Sequence, residues 1–365
     1  MRKICHVTTA HPRYDTRIFL KECCSLASRY ETHFIVSDGK GDEIRNNISI
    51  HDAGVNTRNR LVRFVKTVRA VYMKALRLDC EVYHFHDPDF ILAAVMLRRK
   101  GKRIIYDIHE DVPRDILSKD YLGILKKTTS LLFEVVENWS ARRFDGLIAA
   151  TPFITERFIK INQNTWNVNN YPLLGERLLS NNSEKERSHI AYVGSVMRIK
   201  GVSQVIEAIT NLPVVLELAG DFESDDFRQE LTSKPGWSKV KYHGNLNRKN
   251  VGELLQRCVA GVVTFNPEPN YVDSLPIKMF EYMSFGLPVI CSNFQTWRAI
   301  VEKNNCGVCV DPMDPEDISD KIMTILNDPD AATAMGKNGI RAINEVYNWG
   351  IEEKKLYGIY SLILT

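Results

Sequence analysis

Short apolar runs of strand character alternate with longer helical runs along nearly the whole of this chain, and the alternation is interrupted once. From the N-terminus, KICHVTT is followed by RIFLKECCSLASRY, THFIVS, a basic helical stretch, VYHFH, FILAAVMLRRKG and RIIYDIH; a long helical stretch over 121–143 then precedes GLIAA. A polar, asparagine-rich segment at 162–189 breaks the pattern and reads as an interdomain linker. The alternation then restarts with IAYVGS, GVSQVIEAITNL, VVLELAG, VKYHG, NVGELLQRC, AGVVTF, a helix around 273–286, PVICS and a helical tail. Strands separated by helices pair in parallel, with the helices covering both faces of the sheet. The chain is therefore predicted to be α/β, two doubly wound domains, and its 365 residues are too many for one ordinary core. The predicted boundaries are 1–170 and 171–345, with a C-terminal helix over 346–365 packing back toward the N-terminal domain. In such sheets ligands bind outside the carboxyl ends of strands, so the loops that follow strands are where chemistry is sought.

Composition removes several classes. At 44% hydrophobic and 25% charged the chain is globular. No apolar run reaches the roughly 18 residues of a membrane span. MRKICHVTTAH has too short an apolar stretch for a signal peptide, so a cytoplasmic protein is expected. Of eight cysteines, six lie in or beside apolar segments and read as small buried hydrophobes. Cys306 and Cys309 form CGVC, but without a second pair this is not a zinc motif.

Charge is uneven. Residues 1–170 hold 28 Lys and Arg against 20 Asp and Glu, whereas the remainder holds 20 against 25. The basic excess concentrates in RNRLVRFVKTVRAVYMKALRL, 58–78, where Leu61, Val65, Val68, Val71, Tyr72 and Leu76 recur at helical spacing with Arg60, Arg63, Lys66 and Lys74 largely between them. The pattern suits a helix packed on a sheet with its cations solvated, and after that an interfacial helix on anionic lipid. Nothing in it suggests nucleic acid.

Four loops carry chemistry. After the first strand, HPRYDTRIF offers Asp15 or Thr16 as a helix cap and leaves His11, Arg13 and Arg17 near the strand end. No glycine occurs between Met1 and Gly39, which argues against the G-x-G-x-x-G of a NAD or FAD enzyme. HFHDPD (84–89) and YDIHED (106–111) cluster histidines and carboxylates able to bind a metal, donate protons or hold sugar hydroxyls. The triplet Asp87-Pro88-Asp89 is too short to decide for a metal; His84 reads as a capped or half-buried strand histidine, and His109 as functional. In YVGSVMRIKG (192–201), Gly194 lets a ligand approach the backbone, and Arg198 and Lys200 precede a helix start, a place suited to phosphate.

The segment DSLPIKMFEYMSFGLPVI, 273–290, is the most specific. Asp273 and Ser274 read as helix caps, Pro276 as a first-turn residue, and Gly286 with Pro288 as the stop. Lys278 and Glu281 interrupt an otherwise apolar helix. Ser274 and Glu281, seven residues apart, are predicted to share one face. A buried carboxylate needs a partner, either Lys278 at i−3 or the hydroxyl pair of a ligand. The helix N-terminus suits a diphosphate, and two turns, roughly 11 Å, is about the reach from a diphosphate to the ribose of the same nucleotide.

These residues resemble the retaining GT-B glycosyltransferases of the family that includes bacterial lipopolysaccharide, capsule and exopolysaccharide enzymes (glycosyltransferase family 4). DSLPIKMFEYMSFGLPVICS resembles the family's E-x7-E block, with Glu281 as its second acid and Asp273, one methylene shorter, in place of the first. YVGSVMRIKG, YDIHED, HPRYDTRIF and the late YNW (347–349) also resemble it. The resemblance implies two Rossmann-like domains facing each other across a cleft, the N-terminal one binding acceptor, with His11, Arg13 and Arg17 as candidates on that side, and the C-terminal one binding nucleotide sugar. It implies that Glu281 binds the ribose hydroxyls, that Ser274 and Leu275 offer backbone N–H groups to the diphosphate, that Lys200 binds phosphate, and that Asp273 and His109 lie at the sugar. Ser195 stands where the family often has arginine, with Arg198 as its substitute, and YDTR replaces the usual first-loop glycine pair. The implied activity is transfer of a sugar from a UDP- or GDP-sugar to a glycan or lipid-linked acceptor in O-antigen, capsule or exopolysaccharide synthesis, with no metal or cofactor, at the inner face of the plasma membrane. A nucleotide-sugar epimerase of the same architecture and a non-catalytic nucleotide-sugar-binding protein are the alternatives.

Overall fold

The computed structural model describes residues 1–54, 63–118, 120–175 and 188–365, which divide into two compact units: Met1–Asn170 with Trp349–Thr365, and Tyr171–Asn348. Among the described residues of the first unit, eight strands form one sheet: β1 (Lys3–Val7), β2 (Glu31–Val36), β3 (Glu43–Arg45), β4 (Ile48–Asp52), β5 (Val82–Phe85), β6 (Arg103–Ile108), β7 (Gly146–Ala149) and β8 (Thr165–Asn167), in the order β3-β4-β2-β1-β5-β6-β7-β8. All neighbours are parallel except β3 on β4. In the second unit β9 (His189–Val193), β10 (Val215–Ala219), β11 (Val240–Tyr242), β12 (Ala260–Val263), β13 (Val289–Ser292) and β14 (Gly307–Val310) run in the order β11-β10-β9-β12-β13-β14, all parallel. Most positions of the central strands are buried because both faces of each sheet are covered, the residues being largely Val, Ile, Leu, Ala, Phe and Tyr with a few buried His and acids among them.

The strand order fixes where sites form. In the first unit the chain goes from β1 out to β2 and returns on the other side at β5. In the second it goes from β9 to β10 and returns at β12. A crevice opens at the carboxyl ends of strands where the order reverses. The switch points are therefore β1/β5, followed by the His11 and HFHDPD loops, and β9/β12, followed by the Lys200 loop and the segment leading to Asp273.

Two readings of the sequence are corrected, those of the linker and of the helix start, and of the two readings of the basic stretch the sheet-packed helix is the one observed. The asparagine-rich segment is not all linker: Thr165–Asn167 is the edge strand β8, paired with β7, and residues 176–187 lie outside those described. Its asparagines serve the backbone, Asn162 Nδ2 donating to the carbonyls of Ala141 and Phe144, and Asn167 Nδ2 to that of Ala149. Of the basic stretch at 58–78, Arg60 and Leu61 lie outside the described residues, and the helix Val68–Leu78 packs Val71 and Ala75 into the core with Val68, Tyr72 and Leu76 beside them. Lys74 pairs with Asp42 at 3.3 Å, so this is a helix covering a sheet. The helix of the 273–290 segment is Ile277–Ser284. Pro276 is its cap residue, in extended conformation with no side-chain cap, and neither Asp273 nor Ser274 caps it. The reason is local: a residue before proline is driven out of the helical region, so Leu275 cannot belong to a first turn. Ser274 and Glu281 thus do not share a helix face.

Candidate functional site

In the second unit the helix Ile277–Ser284 lies against the carboxyl ends of β9 and β12. The backbone N–H of Val193 donates to the Tyr282 hydroxyl at 2.8 Å, and Gly261 in β12 has no side chain because the Tyr282 ring occupies that space, 2.2 Å from where a Cβ would sit. The approach to the helix is pinned from behind: the Trp297 indole N–H donates to the Ser274 carbonyl at 2.6 Å, and Trp297 itself is buried against Phe265 and Phe294. The Ser274 N–H and hydroxyl both donate to the Tyr271 carbonyl, at 3.1 and 2.8 Å. Of the two N–H groups expected for a diphosphate, that of Ser274 is therefore engaged in a turn. Asp273 and Leu275 are half-buried beside it.

Two lysines converge here. Lys278, in the first turn of the helix, is buried, with its Nζ 3.9 Å from the centre of the Tyr192 ring and 5.1 Å from that of Phe265. Lys200 Nζ lies 5.8 Å from the same Phe265 ring. A Cβ on Gly194, which has φ +120°, would stand 3.9 Å from Lys278 Nζ. Lys278 Nζ makes no hydrogen bond, so of the two partners considered for Glu281 the hydrogen-bonded Lys278 is not the one observed. Burial, and then the charge of Lys200, hold the Lys278 amine well below the usual lysine range; Glu281 opposes them more weakly. Sequence reasoning treated Lys278 only as a neighbour of Glu281. The available signal was a cation in the first turn of a helix otherwise apolar on that side.

Arg198 is placed elsewhere. Its guanidinium, more than half exposed, pairs with Glu230 at 2.7 Å and stacks on Phe227, facing the helix Asp225–Ser233. Ser195 is exposed at the end of β9.

In the first unit Asp15 caps the π-helix Thr16–Cys23, accepting from the N–H groups of Arg17 and Ile18 at 2.8 and 2.9 Å. This sets Arg17 inward, where its guanidinium donates to Asp107 at 2.7 and 2.8 Å and to the Val168 carbonyl. Arg13 is buried as well, tied to Asp38 at 2.6 Å and to the Gly41 carbonyl. A guanidinium is buried only with carboxylate and carbonyl partners, and those partners occupy both arginines. Of the three acceptor-side candidates, His11 alone reaches solvent. It lies 3.6 Å from Asp87 and 3.8 Å from Asp15, with its ring 5.0 Å from that of His109. Burial works against its charge, but hydrogen bonding to Asp15 and the charges of Asp87 and Asp107 prevail and raise its pKa.

His109 Nε2 sits 2.7 Å from Asp107 Oδ2. Burial opposes ionisation of Asp107, yet Arg17, His109 and His86 hold its carboxyl well below the usual carboxylate range. Asp87 is committed to the first loop: its Oδ2 accepts from the Thr8 hydroxyl at 2.6 Å and the Thr9 N–H at 2.7 Å. Asp107 was missed as a separate functional residue because nothing in YDIHED distinguishes the acid inside the strand from those after it. The two cysteines of CGVC are unpaired by any disulfide; Cys309 Sγ lies 3.8 Å from Cys291 Sγ.

Known proteins resemble this chain throughout. Residues 17–165 match the family described as Glycosyltransferase Family 4, and residues 178–342 match Glycosyl transferases group 1. A solved structure of sucrose-phosphate synthase from Thermosynechococcus elongatus has a TM-score of 0.78 at 19% identity, over 100% of this chain and 99% of that one. HepE from Anabaena, in complex with UDP-glucose, has a TM-score of 0.72 at 17% identity, over 99% of this chain and 100% of that one. Glycogen synthase from Mycobacterium tuberculosis is 24% identical over 243 residues, 62% of this chain and 56% of that protein. The chain spans about half the length of the curated relatives it matches, or less. With one family model on each unit, together running over most of its length, the chain belongs to the glycosyltransferases of GT-B fold and family-4 type.

Proposed function

We propose that this protein transfers a sugar from a nucleotide diphosphate sugar, a UDP- or GDP-sugar, to a glycan or lipid-linked glycan acceptor with retention of anomeric configuration, in the synthesis of a surface polysaccharide such as O-antigen, capsule or exopolysaccharide. The observation that carries the reading is the pair of lysines at the β9/β12 switch point. Lys200 and the buried, hydrogen-bond-free Lys278 share the Phe265 ring, and Gly194 leaves the backbone open beside Lys278. Two cations in a place of low polarity suit a diphosphate.

In this reading Lys200, Lys278 and the N–H groups entering the helix Ile277–Ser284 hold the diphosphate, with Leu275 contributing its backbone. Glu281 accepts from the ribose hydroxyls, and Asp273 from the donor sugar. Arg198 serves the nucleotide only if it leaves Glu230. The bond between the anomeric carbon and the phosphate oxygen breaks, its electron pair leaving with the nucleoside diphosphate. The acceptor oxygen bonds to the same face, and its proton passes to a phosphate oxygen. Lysine charge and helix N–H groups stabilise the departing anion, so this scheme needs no metal. On the acceptor side, His109, oriented by Asp107, is positioned to hold a sugar hydroxyl, with His11 beside it.

The UDP-glucose in HepE supports a uridine nucleotide as the first donor to try. Calorimetry of UDP and GDP against the wild type, Lys200→Ala and Glu281→Ala tests the site. Unchanged affinity in both variants would sink the assignment. Release of UDP that depends on added acceptor separates transfer from epimerisation, and a complete absence of turnover across acceptors favours a binding protein.

The same reading places the protein against an anionic membrane, where a lipid-linked acceptor resides. No helix among the described residues is long and apolar enough to cross one. The helix Lys126–Ala141 is amphipathic in the wrong sense for a soluble core: Ser130, Glu137, Ser140 and Ala141 face inward, while Leu131, Leu132, Val135 and Trp139 face out on one stripe. Lys126, Lys127, Arg142 and Arg143 lie at its two ends, the basic rim an anionic surface would meet.

A further inference from the structure

Three histidines and a glutamate of the first unit meet at the carboxyl ends of β1 and β5. His6 in β1 and His84 in β5 are register partners on neighbouring parallel strands, so their side chains leave the same face side by side. His86 is two residues on from His84 and falls on that face too, because side chains alternate along an extended chain. Glu22 comes down on them from the π-helix Thr16–Cys23, a wide turn that often marks functional sites. All four side chains are buried: His6, Glu22 and His84 show no exposed surface and His86 2%.

The inner atoms are close, and only one hydrogen bond, between His6 and His86, joins them. His6 Nδ1 and His86 Nε2 are 3.0 Å apart, and each lies 3.8 Å from Glu22 Oε2. His84 Nε2 and both Glu22 oxygens have no hydrogen-bond partner. The nearest cation to Glu22, Arg17 Nε at 3.1 Å from Oε1, lies within ion-pair distance without hydrogen-bond geometry. One candidate ligand atom from each of the four residues can be chosen so that all lie within 4.8 Å of one another. A tetrahedral zinc ion with ligands at about 2.0–2.1 Å separates its ligand atoms by roughly 3.3 Å, and the observed edges bracket that value.

The outer atoms are held as the rings of metal ligands usually are. His86 Nδ1 bonds to Asp107 Oδ2 at 3.0 Å, His84 Nδ1 to the Tyr360 hydroxyl at 3.0 Å, and His6 Nε2 to the same hydroxyl at 3.3 Å. Each imidazole thus has one nitrogen fixed from outside and the other turned inward. Without an ion, the buried His84 Nε2 has no hydrogen bond and the buried Glu22 carboxyl has only the charge of Arg17 beside it.

We propose that His6, His84, His86 and Glu22 bind one divalent transition-metal ion, of which zinc fits best. Three imidazoles and one carboxylate, with no sulfur, are zinc ligands rather than the all-oxygen set of magnesium or calcium. Four buried protein ligands close the coordination sphere, so the ion is structural and takes no part in sugar transfer. It ties β1 and β5 to the Thr16–Cys23 helix beneath the loop that carries Asp87, and it fixes the ring that holds Asp107. The proposal stands apart from the transferase reading, since its first readout is metal content.

The test uses the full chain carrying a tag without histidine, purified without chelator, with metal counted by inductively coupled plasma mass spectrometry. The expected result is about one zinc per chain, retained through gel filtration, and X-ray absorption showing only nitrogen and oxygen neighbours. Stripping with dipicolinate should lower the thermal midpoint, and zinc alone should restore it. Glu22→Gln and His84→Phe should lose the zinc, while His109→Ala, which borders the neighbouring His86–Asp107–His109 group, should keep it. Trace metal in the wild type with no response of the stripped protein to added zinc overturns the proposal. So does sulfur in the absorption spectrum, or full zinc retained by Glu22→Gln. If the variants fail to fold, the wild-type stoichiometry and absorption spectrum decide alone.

Discussion

Lys278 Nζ sits 3.9 Å from the centre of the Tyr192 ring and makes no hydrogen bond. An amine buried in this way costs stability, since its hydration is lost and only ring faces stand in for it. Lys278→Met keeps a chain of similar length and removes the polar end. The expected outcome is a higher thermal midpoint together with about 10- to 100-fold weaker nucleotide binding, the loss of one charge-assisted contact worth about 1.5–3 kcal/mol. Differential scanning calorimetry and titration calorimetry on the same preparation check both. Unchanged affinity removes Lys278 from the site.

The same amine should make nucleotide binding pH-dependent. Burial and then Lys200 lower its pKa, and an arriving diphosphate restores its charge, so binding takes up a proton. Affinity should fall as pH rises through the window between the lowered pKa and the ordinary lysine value of about 10.4. In the free protein the unfolded chain binds the extra proton, so across that window this residue adds stability as pH rises. Binding enthalpies in buffers of different ionisation heat should show uptake in the wild type and less in Lys278→Met. Equal uptake in the two assigns the proton to another group.

Much of this was legible in the sequence. Alternating runs predicted two parallel sheets because strands covered on both faces need no polar alternation, and that physics is local. The placement of candidates after strands followed from the same pattern. What was not legible depended on contacts across the chain. Leu275–Pro276 moved the helix start by a rule that the apolar pattern concealed. Arg13 and Arg17 read as acceptor-side groups near the end of the first strand, but Asp38 and Asp107, 25 and 90 residues away, claim them. His84 read as an ordinary strand residue because its register partner, His6, lies in a strand paired only through the fold.

The outward stripe of the helix Lys126–Ala141 predicts a separable membrane contact. Leu131→Ser, Leu132→Ser and Val135→Ser together should abolish co-sedimentation with vesicles of anionic lipid. Each exposed position should change the unfolding free energy by only about 0.5 kcal/mol or less. Replacing Lys66, Arg69 and Arg77 by Gln should cause a smaller loss, visible at low salt and absent at high salt, because exposed charges are screened. Wild-type protein that stays in the supernatant at low salt rules the contact out.

Gly201 and Gly244 offer a controlled measurement of how tightly the Lys200 loop is built. Both have φ +67°. A Cβ on Gly201 would lie 1.7 Å from the Thr264 carbonyl oxygen, at the end of β12, whereas one on Gly244 would meet nothing within 4 Å. Gly244→Ala therefore carries only the left-handed backbone term, about 1–2 kcal/mol. Gly201→Ala adds a backbone collision, so urea unfolding should show a further loss of about 1–3 kcal/mol. Relief of that collision has to move either Thr264 or the turn Arg198–Lys200, and the turn is the shorter segment. Nucleotide affinity should accordingly fall in Gly201→Ala and hold in Gly244→Ala. Equal stability losses would mean that the loop yields without cost, and Lys200 would then not be held in place by its packing on β12.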